Sequence, residues 1–183
     1  IKRTEFVIFY AGALDPWDGV SLLLEYMRQN NDPNLRLHLA GSGAQEEAVR
    51  VAAAKDVRIK YYGFVGPDEL YRQYASADVL VALRDLVDPG LIYHYPSKTF
   101  EMMAMGRPLI VSNSSHTKTE YGDYCKVLDS CDISSFERAV NALRQMDCQE
   151  RFEYGMRARG FVLRYKYWRN QGGVIGDYIR SIA

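Results

Sequence analysis

Apolar runs of strand length alternate with amphipathic runs of helical spacing from one end of the sequence to the other, and few architectures accept that order. Phe6-Val7-Ile8-Phe9-Tyr10-Ala11 is apolar without a period of two, the pattern of a strand covered on both faces. Leu35–Ala40, Val57–Tyr62, Val79–Leu83 and Leu109–Val111 read as further strands, and Lys126-Val127-Leu128 as a weaker sixth. Between the first two, Val20, Leu23, Leu24 and Met27 fall at helical spacing, and Asn30-Asn31-Asp32-Pro33 stops that helix. A strand, a crossover and another strand in succession demand right-handed connections and a parallel sheet. The fold class is therefore α/β, a doubly wound parallel sheet of about six strands with helices on both faces.

The remaining helices carry local signals. Gly41-Ser42-Gly43 turns into a helix near residues 45–54. Pro67 stands at a first helical position, with Asp68 and Glu69 in the first turn, where the helix dipole favours acids. Leu70, Tyr71 and Tyr74 are that helix's apolar face. A short helix, Lys98–Met105, is closed by Gly106 with Pro108 soon after. Ser134 and Glu137 have the spacing of a capping box. Two helical stretches, Gln149–Leu163 and Trp168–Ile182, finish the chain, the last with an apolar stripe of Ile175, Tyr178, Ile179 and Ile182.

Composition narrows the function classes. The 183 residues suit one domain, and the first residue, Ile1, predicts a piece of a longer protein. Lys plus Arg equals Asp plus Glu at 23 each, which argues against a nucleic-acid partner but allows a small anion held by local charges. No apolar run approaches the ~20 residues of a membrane span. Cys125, Cys131 and Cys148 are odd in number and lack a Cys-x-x-Cys, so they read as reduced structural thiols of a cytoplasmic protein. His38 falls in a strand and reads as a packed residue; His94 and His116 have no partners at metal-ligand spacing.

In a doubly wound sheet the ligand lies at the carboxyl ends of the strands. That directs attention to residues 12–19, 41–43, 63–66, 84–97 and 112–119. Gly41-Ser42-Gly43 lacks the spacing of a dinucleotide fingerprint, since Glu46 holds the third glycine position. It is either a turn that passes close to a nucleotide or a turn alone. Trp17 is either a wall of the site or an anchor of its own loop. In Tyr95-Pro96-Ser97-Lys98-Thr99-Phe100-Glu101, Pro96 leads into a helix that begins near Ser97. Free backbone N–H groups at such an end bind phosphate oxygens. Glu101, one turn in, suits paired ribose hydroxyls and suits the dipole equally well.

The stretch PSKTFEMMAMGRPLIVSN, residues 96–113, resembles the signature of the family 4 retaining glycosyltransferases. FYAGALDPWDGVSLLLEYM, LRLHLAGSG, YYGFVGPDELYRQYASADVLVAL and YWRNQGGVIGDYI are similar, in the right order, to other segments of that family's C-terminal domain. The resemblance implies one half of a GT-B fold, with an N-terminal acceptor-binding domain outside this sequence. It implies a UDP- or GDP-sugar as donor, transfer of a hexose to a glycan, lipid or other acceptor, no metal or other cofactor, and no activity in the isolated domain. Membrane contact, where it occurs, would come through the absent domain. By motif, Glu101 is the ribose carboxylate and Lys98 joins it as a catalytic-site residue. Gly12, Ala13, Trp17, Gly41, Phe64, Val65, Tyr95, Pro96, Ser97 and Thr99 surround the nucleotide. Departures stand beside these matches. The family's usual first-loop Arg and Lys are replaced by Ala13 and Asp18, and Tyr93 stands where a first Glu is common. Lys98 is expected to supply the missing charge against an opposing Asp18, with Arg84 and Arg107 next in line. The departures equally fit a non-catalytic binding subunit, and the fold fits another GT-B enzyme such as an epimerase or phosphorylase.

Overall fold

The computed structural model describes residues 5–84, 98–113 and 117–182. Tyr93, His94, Tyr95, Pro96, Ser97 and His116 lie outside them. Six strands form one sheet: β1 Phe6–Ala13, β2 Leu35–Ser42, β3 Ile59–Tyr61, β4 Val79–Ala82, β5 Leu109–Val111 and β6 Lys126–Val127. Their order is β3-β2-β1-β4-β5-β6, and every pairing is parallel. The helices are α1 Val20–Gln29, α2 Glu46–Lys55, α3 Pro67–Ser76, α4 Lys98–Ala104, α5 Thr117–Tyr121, α6 Ile133–Gln145, α7 Cys148–Phe161 and α8 Trp168–Ile182, with a π-helical turn at Val162–Lys166.

The continuous apolar run of β1 is explained by its two faces. Phe6, Ile8 and Tyr10 point into one buried cluster, with Val20, Leu23 and Met27 of α1 and Phe136, Val140 and Leu143 of α6. Val7, Phe9 and Ala11 point into the other, with Tyr74 of α3, Met102 and Met103 of α4, and Ala158 of α7. Each side chain so buried contributes roughly 1.5–3 kcal/mol relative to exposure. Across the first layer Tyr26 meets Phe136 edge to face at 5.0 Å; across the second, Phe9 meets Tyr74 at 5.5 Å. Arg159 of α7 donates to the Ala104 carbonyl, which ties α7 to the end of α4.

Several local expectations give way. β1 and β2 run on through Gly12-Ala13 and Gly41-Ser42, which the sequence assigns to loops, because those residues continue to pair with each other in register. Ser134 and Glu137 are not a capping box. The helix begins two residues earlier than that box requires, at Ile133, and the Asp132 carboxylate accepts the Ser135 N–H at 2.7 Å. The capping box lies at α7 instead, where Asp147 accepts from Glu150 N at 2.9 Å and Glu150 accepts from Asp147 N at 2.8 Å. α5 falls within residues expected to be loop. α8 has no buried residue at all.

Candidate functional site

The extension of β1 and β2 past the sheet builds the floor of a cleft. Gly12 pairs with Gly41 and Ala13 with Ser42. Gly41 has φ +134°, and a Cβ there would fall 1.8 Å from the Gly12 carbonyl oxygen, so only glycine permits this approach. With Ala11 and Ala40 these small residues leave room above the strand ends. The cleft has a volume of about 290 Å³. Phe64, Val65, Leu70 and Tyr74 form one wall, and Lys98 and Glu101 of α4 stand in it as well.

The two charged residues share one face because they are three apart on a helix. Lys98 Nζ lies 3.2 Å from the point a Gly12 Cβ would occupy, so the ammonium stands directly over the glycine floor. Among the described residues neither Lys98 nor Glu101 makes a hydrogen bond or an ion pair. Burial, and after it the negative charge of Glu101, pushes the Tyr74 phenol well above its ordinary pKa. Tyr74 therefore stays protonated, a neutral wall rather than a second anion. Phe64 is 84% exposed at the rim, an apolar ring with no protein covering it. A cation over bare backbone, a carboxylate one turn along and an exposed aromatic ring are groups suited to an anion, to paired hydroxyls and to a flat ring.

Of the residues singled out in the sequence, the structure brings Gly12, Ala13, Gly41, Phe64, Val65, Lys98 and Glu101 to this one cleft. Trp17, 48% exposed, does not line it. Thr99 is buried at 1% exposure, its Oγ1 has no hydrogen-bond partner among the described residues, and it is not among the residues that line the cleft. Tyr95, Pro96 and Ser97 fall outside the described residues. Leu70 and Tyr74 have the spacing of a packing face, and their second role, as a wall, has no local signature.

Asp18 does not stand unpaired: it is buried, and its Oδ1 accepts from Arg84 Nη2 at 2.9 Å, while its Oδ2 has no hydrogen-bond partner among the described residues. The same pair commits Arg84 away from the cleft, and Arg107 donates to the Ala75 carbonyl. Among the described residues, Lys98 is thus the cation that lines the cleft. No group of three or more His, Cys, Asp or Glu among the described residues is placed to hold a metal ion. No described helix is long and apolar enough to cross a membrane. None of the three cysteines forms a disulfide among the described residues.

The family model described as "Glycosyl transferases group 1" matches residues 5–145. The fold is similar to sucrose-phosphate synthase from Thermosynechococcus elongatus, at TM-score 0.76 and 20% identity, covering 100% of this chain and 46% of that one. It is similar to Anabaena HepE in complex with UDP and glucose, at TM-score 0.75 and 17% identity, covering 97% and 49%. It is also similar to the catalytic domain of cholesterol-α-glucosyltransferase from Helicobacter pylori, at TM-score 0.70 and 18% identity, covering 87% and 98%. The chain thus spans about half the length of the first two. No curated protein matches the sequence. The six-stranded parallel sheet is one Rossmann-like half of a GT-B fold.

Proposed function

We propose a donor-binding role for this chain, which belongs to the group 1 glycosyl transferases: its cleft holds the nucleoside diphosphate of a sugar donor, UDP-hexose first among the candidates. The observation that carries the reading is the meeting of Lys98, Glu101, Gly12 and Phe64 around one cleft at the carboxyl ends of the central strands. In this reading the diphosphate lies over Gly12 and Ala13, where Lys98 offers an ammonium and the strand end offers backbone without side chains. Glu101 accepts from the two ribose hydroxyls. Phe64 and Val65 lie against the base. The relative crystallised with UDP and glucose supports UDP as the first ligand to test.

The wider activity follows as part of the same proposal. A second, acceptor-binding domain faces the cleft, and the pair transfers the hexose to a glycan, lipid or other acceptor with retention at the anomeric carbon. The chain alone is inactive, because closing the cleft against water and positioning the acceptor supply much of the rate. Calorimetric titration with UDP, GDP and uridine tests the reading. Saturable binding of UDP or GDP, tighter than that of uridine, is the expected result. Absence of binding by both diphosphates would overturn it.

One observation favours a second reading, a binding subunit without catalysis. The first loop holds no cation, and of its two carboxylates, Asp15 and Asp18, the second is paired with Arg84. Activity of the two-domain protein with a UDP-sugar decides between the two.

A further inference from the structure

In the wall formed by Phe64, Val65, Leu70 and Tyr74, the last is the most enclosed, at 1% exposure against 84% for Phe64 at the rim. The core grips its ring. Phe9 of β1 meets it edge to face at 5.5 Å, Tyr71 of the same helix lies 6.4 Å away, and Ala11, Ala40 and Met102 share its buried cluster. A tyrosine has two side-chain torsions, and this packing fixes both before a ligand arrives. A bond made by its hydroxyl therefore carries little further ordering cost.

The hydroxyl itself has no hydrogen-bond partner among the described residues. The fully enclosed side-chain oxygens that lack a partner there are those of Asp18, Gln45 and Thr99. The Tyr74 oxygen is not one of them, so the small part of Tyr74 that stays exposed includes its hydroxyl. The opening that Tyr74 lines is the cleft. Two other phenols near the floor are spent on its backbone: Tyr10 donates to the Ala13 carbonyl at 2.5 Å, and Tyr61 to the Gly41 carbonyl at 2.7 Å. Tyr74 alone of these three keeps its O–H for whatever enters. A donor left without a partner in so enclosed a place is costly, and a ligand oxygen removes that cost.

The neighbouring groups select the kind of oxygen. Burial foremost, and the Glu101 carboxylate next, keep the phenol protonated, so Tyr74 acts as a donor, and Glu101 lies near enough for its charge to be felt there. The ionised carboxylate only accepts. A donor and an acceptor lining one cleft suit a hydroxyl group, which gives its proton to one and takes a proton from the other. A phosphate oxygen or a base carbonyl has no proton to give Glu101. A ribose hydroxyl serves both residues.

We infer that the Tyr74 hydroxyl donates a hydrogen bond to the oxygen of one ribose hydroxyl, the same group whose proton goes to Glu101, so that α3 and α4 read the ribose from two sides. The inference rests on the donor-binding reading above and adds to it a specificity-determining residue on α3. Its consequence is selection for a ribonucleotide: a deoxyribose that lacks the hydroxyl in question leaves Tyr74 and Glu101 each short of a partner.

The test uses the whole chain and the tighter-binding of UDP and GDP, together with the 2′-deoxy and 3′-deoxy forms of that nucleotide. Wild-type binding of the two diphosphates is measured first; its absence would overturn the donor reading and this inference together. With wild-type binding in hand, Tyr74→Phe, which removes the hydroxyl and keeps the ring, should weaken the ribonucleotide about fivefold. For the deoxy form that lacks the hydroxyl Tyr74 meets, variant and wild type should bind within about twofold of each other. The thermal midpoint of the variant should stay in place, since no bond within the protein is lost. Unchanged affinity for the ribonucleotide would overturn the ribose contact and leave the donor reading standing. So would an equal loss for all three ligands, which would put the hydroxyl on the base or the phosphates. A variant that fails to fold, or melts well below the wild type, would give the hydroxyl a partner inside the protein and overturn the inference as well.

Discussion

The two ends of the sheet use charge in opposite ways. At the amino ends of the strands, charges close on one another and on backbone. Arg58 donates to the carbonyls of Met27 at 2.8 Å and Asn30 at 2.6 Å, and to Asp56 at 2.6 Å. It thereby satisfies carbonyls that the end of α1 leaves without helical partners. Arg144 pairs with Asp32, and Arg36 with Glu5 at 2.8 Å. At the carboxyl ends, Lys98 and Glu101 stand three residues apart on one helix and are paired with no other described residue. The Asp18–Arg84 pair sits between these extremes, paired like the first group but placed at the carboxyl ends of β4 and β5. Charges at the amino ends are consumed by the fold, and the two on α4 are left open toward the cleft among the described residues.

The contrast breaks first at Arg58. Arg58→Ala removes several charge-assisted hydrogen bonds at once and should lower stability by about 3 kcal/mol in urea titration, with UDP affinity of the folded protein unchanged. A loss under about 1 kcal/mol would mean this network holds little. Glu101→Ala should do the reverse. It should weaken UDP and uridine alike by ten- to a hundredfold, the equivalent of about 1.5–3 kcal/mol, with the thermal midpoint in place. Lys98→Ala is the sharper probe and the smaller effect. UDP binding should fall about tenfold and uridine binding hardly at all. Equal losses for the two ligands would remove Lys98 from the phosphate.

Acid should also separate the two ends. The Arg58 hydrogen bonds hold the Asp56 carboxyl below its usual range, and the Asn34 amide, then Arg144, do the same for Asp32. A carboxyl whose folded pKa is lowered gives stability that is fully present above the unfolded value, here 3.8, and is lost as pH falls through the folded value. The urea midpoint should therefore carry no pH dependence from these groups between about pH 5 and 8 and should drop below about pH 4. Arg58→Ala should flatten that drop, and an unchanged acid slope would refute the assignment. The smallest effect on stability belongs to α8. Val174, Ile175 and Ile179 are 64%, 58% and 56% exposed, so changing them to Ser should shift stability by less than about 0.5 kcal/mol. The same changes should reduce self-association in light scattering, because they interrupt an exposed apolar stripe.

What the sequence discloses follows from the range of each interaction. The strands, their parallel pairing and most helix limits come from patterns a few residues long, such as the unbroken run Phe6–Ala11 or Pro67 followed by Asp68 and Glu69. The cleft residues supplied by motif, Lys98 and Glu101, are legible because three-residue spacing on a helix fixes a shared face. Asp18 misleads because its partner, Arg84, lies 66 positions away, and no local pattern records such a pair. Tyr74 escapes as a cleft wall because its spacing with Leu70 describes equally a packing face. The false capping box has the right letters two residues too late: Asp132 reaches the Ser135 N–H first and leaves Ser134 inside the helix.

The strand order also governs how the molecule comes into being. β1 lies between β2 and β4, with Phe6 beside Leu35 and Ile8 beside Val79. During synthesis one flank of β1 is matched early, while the other has no neighbour until the chain has grown past residue 79. For that interval β1 presents on that flank a row of open N–H and C=O groups, the template on which foreign chains can add. Pairings that span so much intervening chain are slow to form, since closing the loop must precede any gain from contact. The central position of β1, an advantage in the finished core, is for the nascent chain an interval of exposure that ends only when β4 arrives.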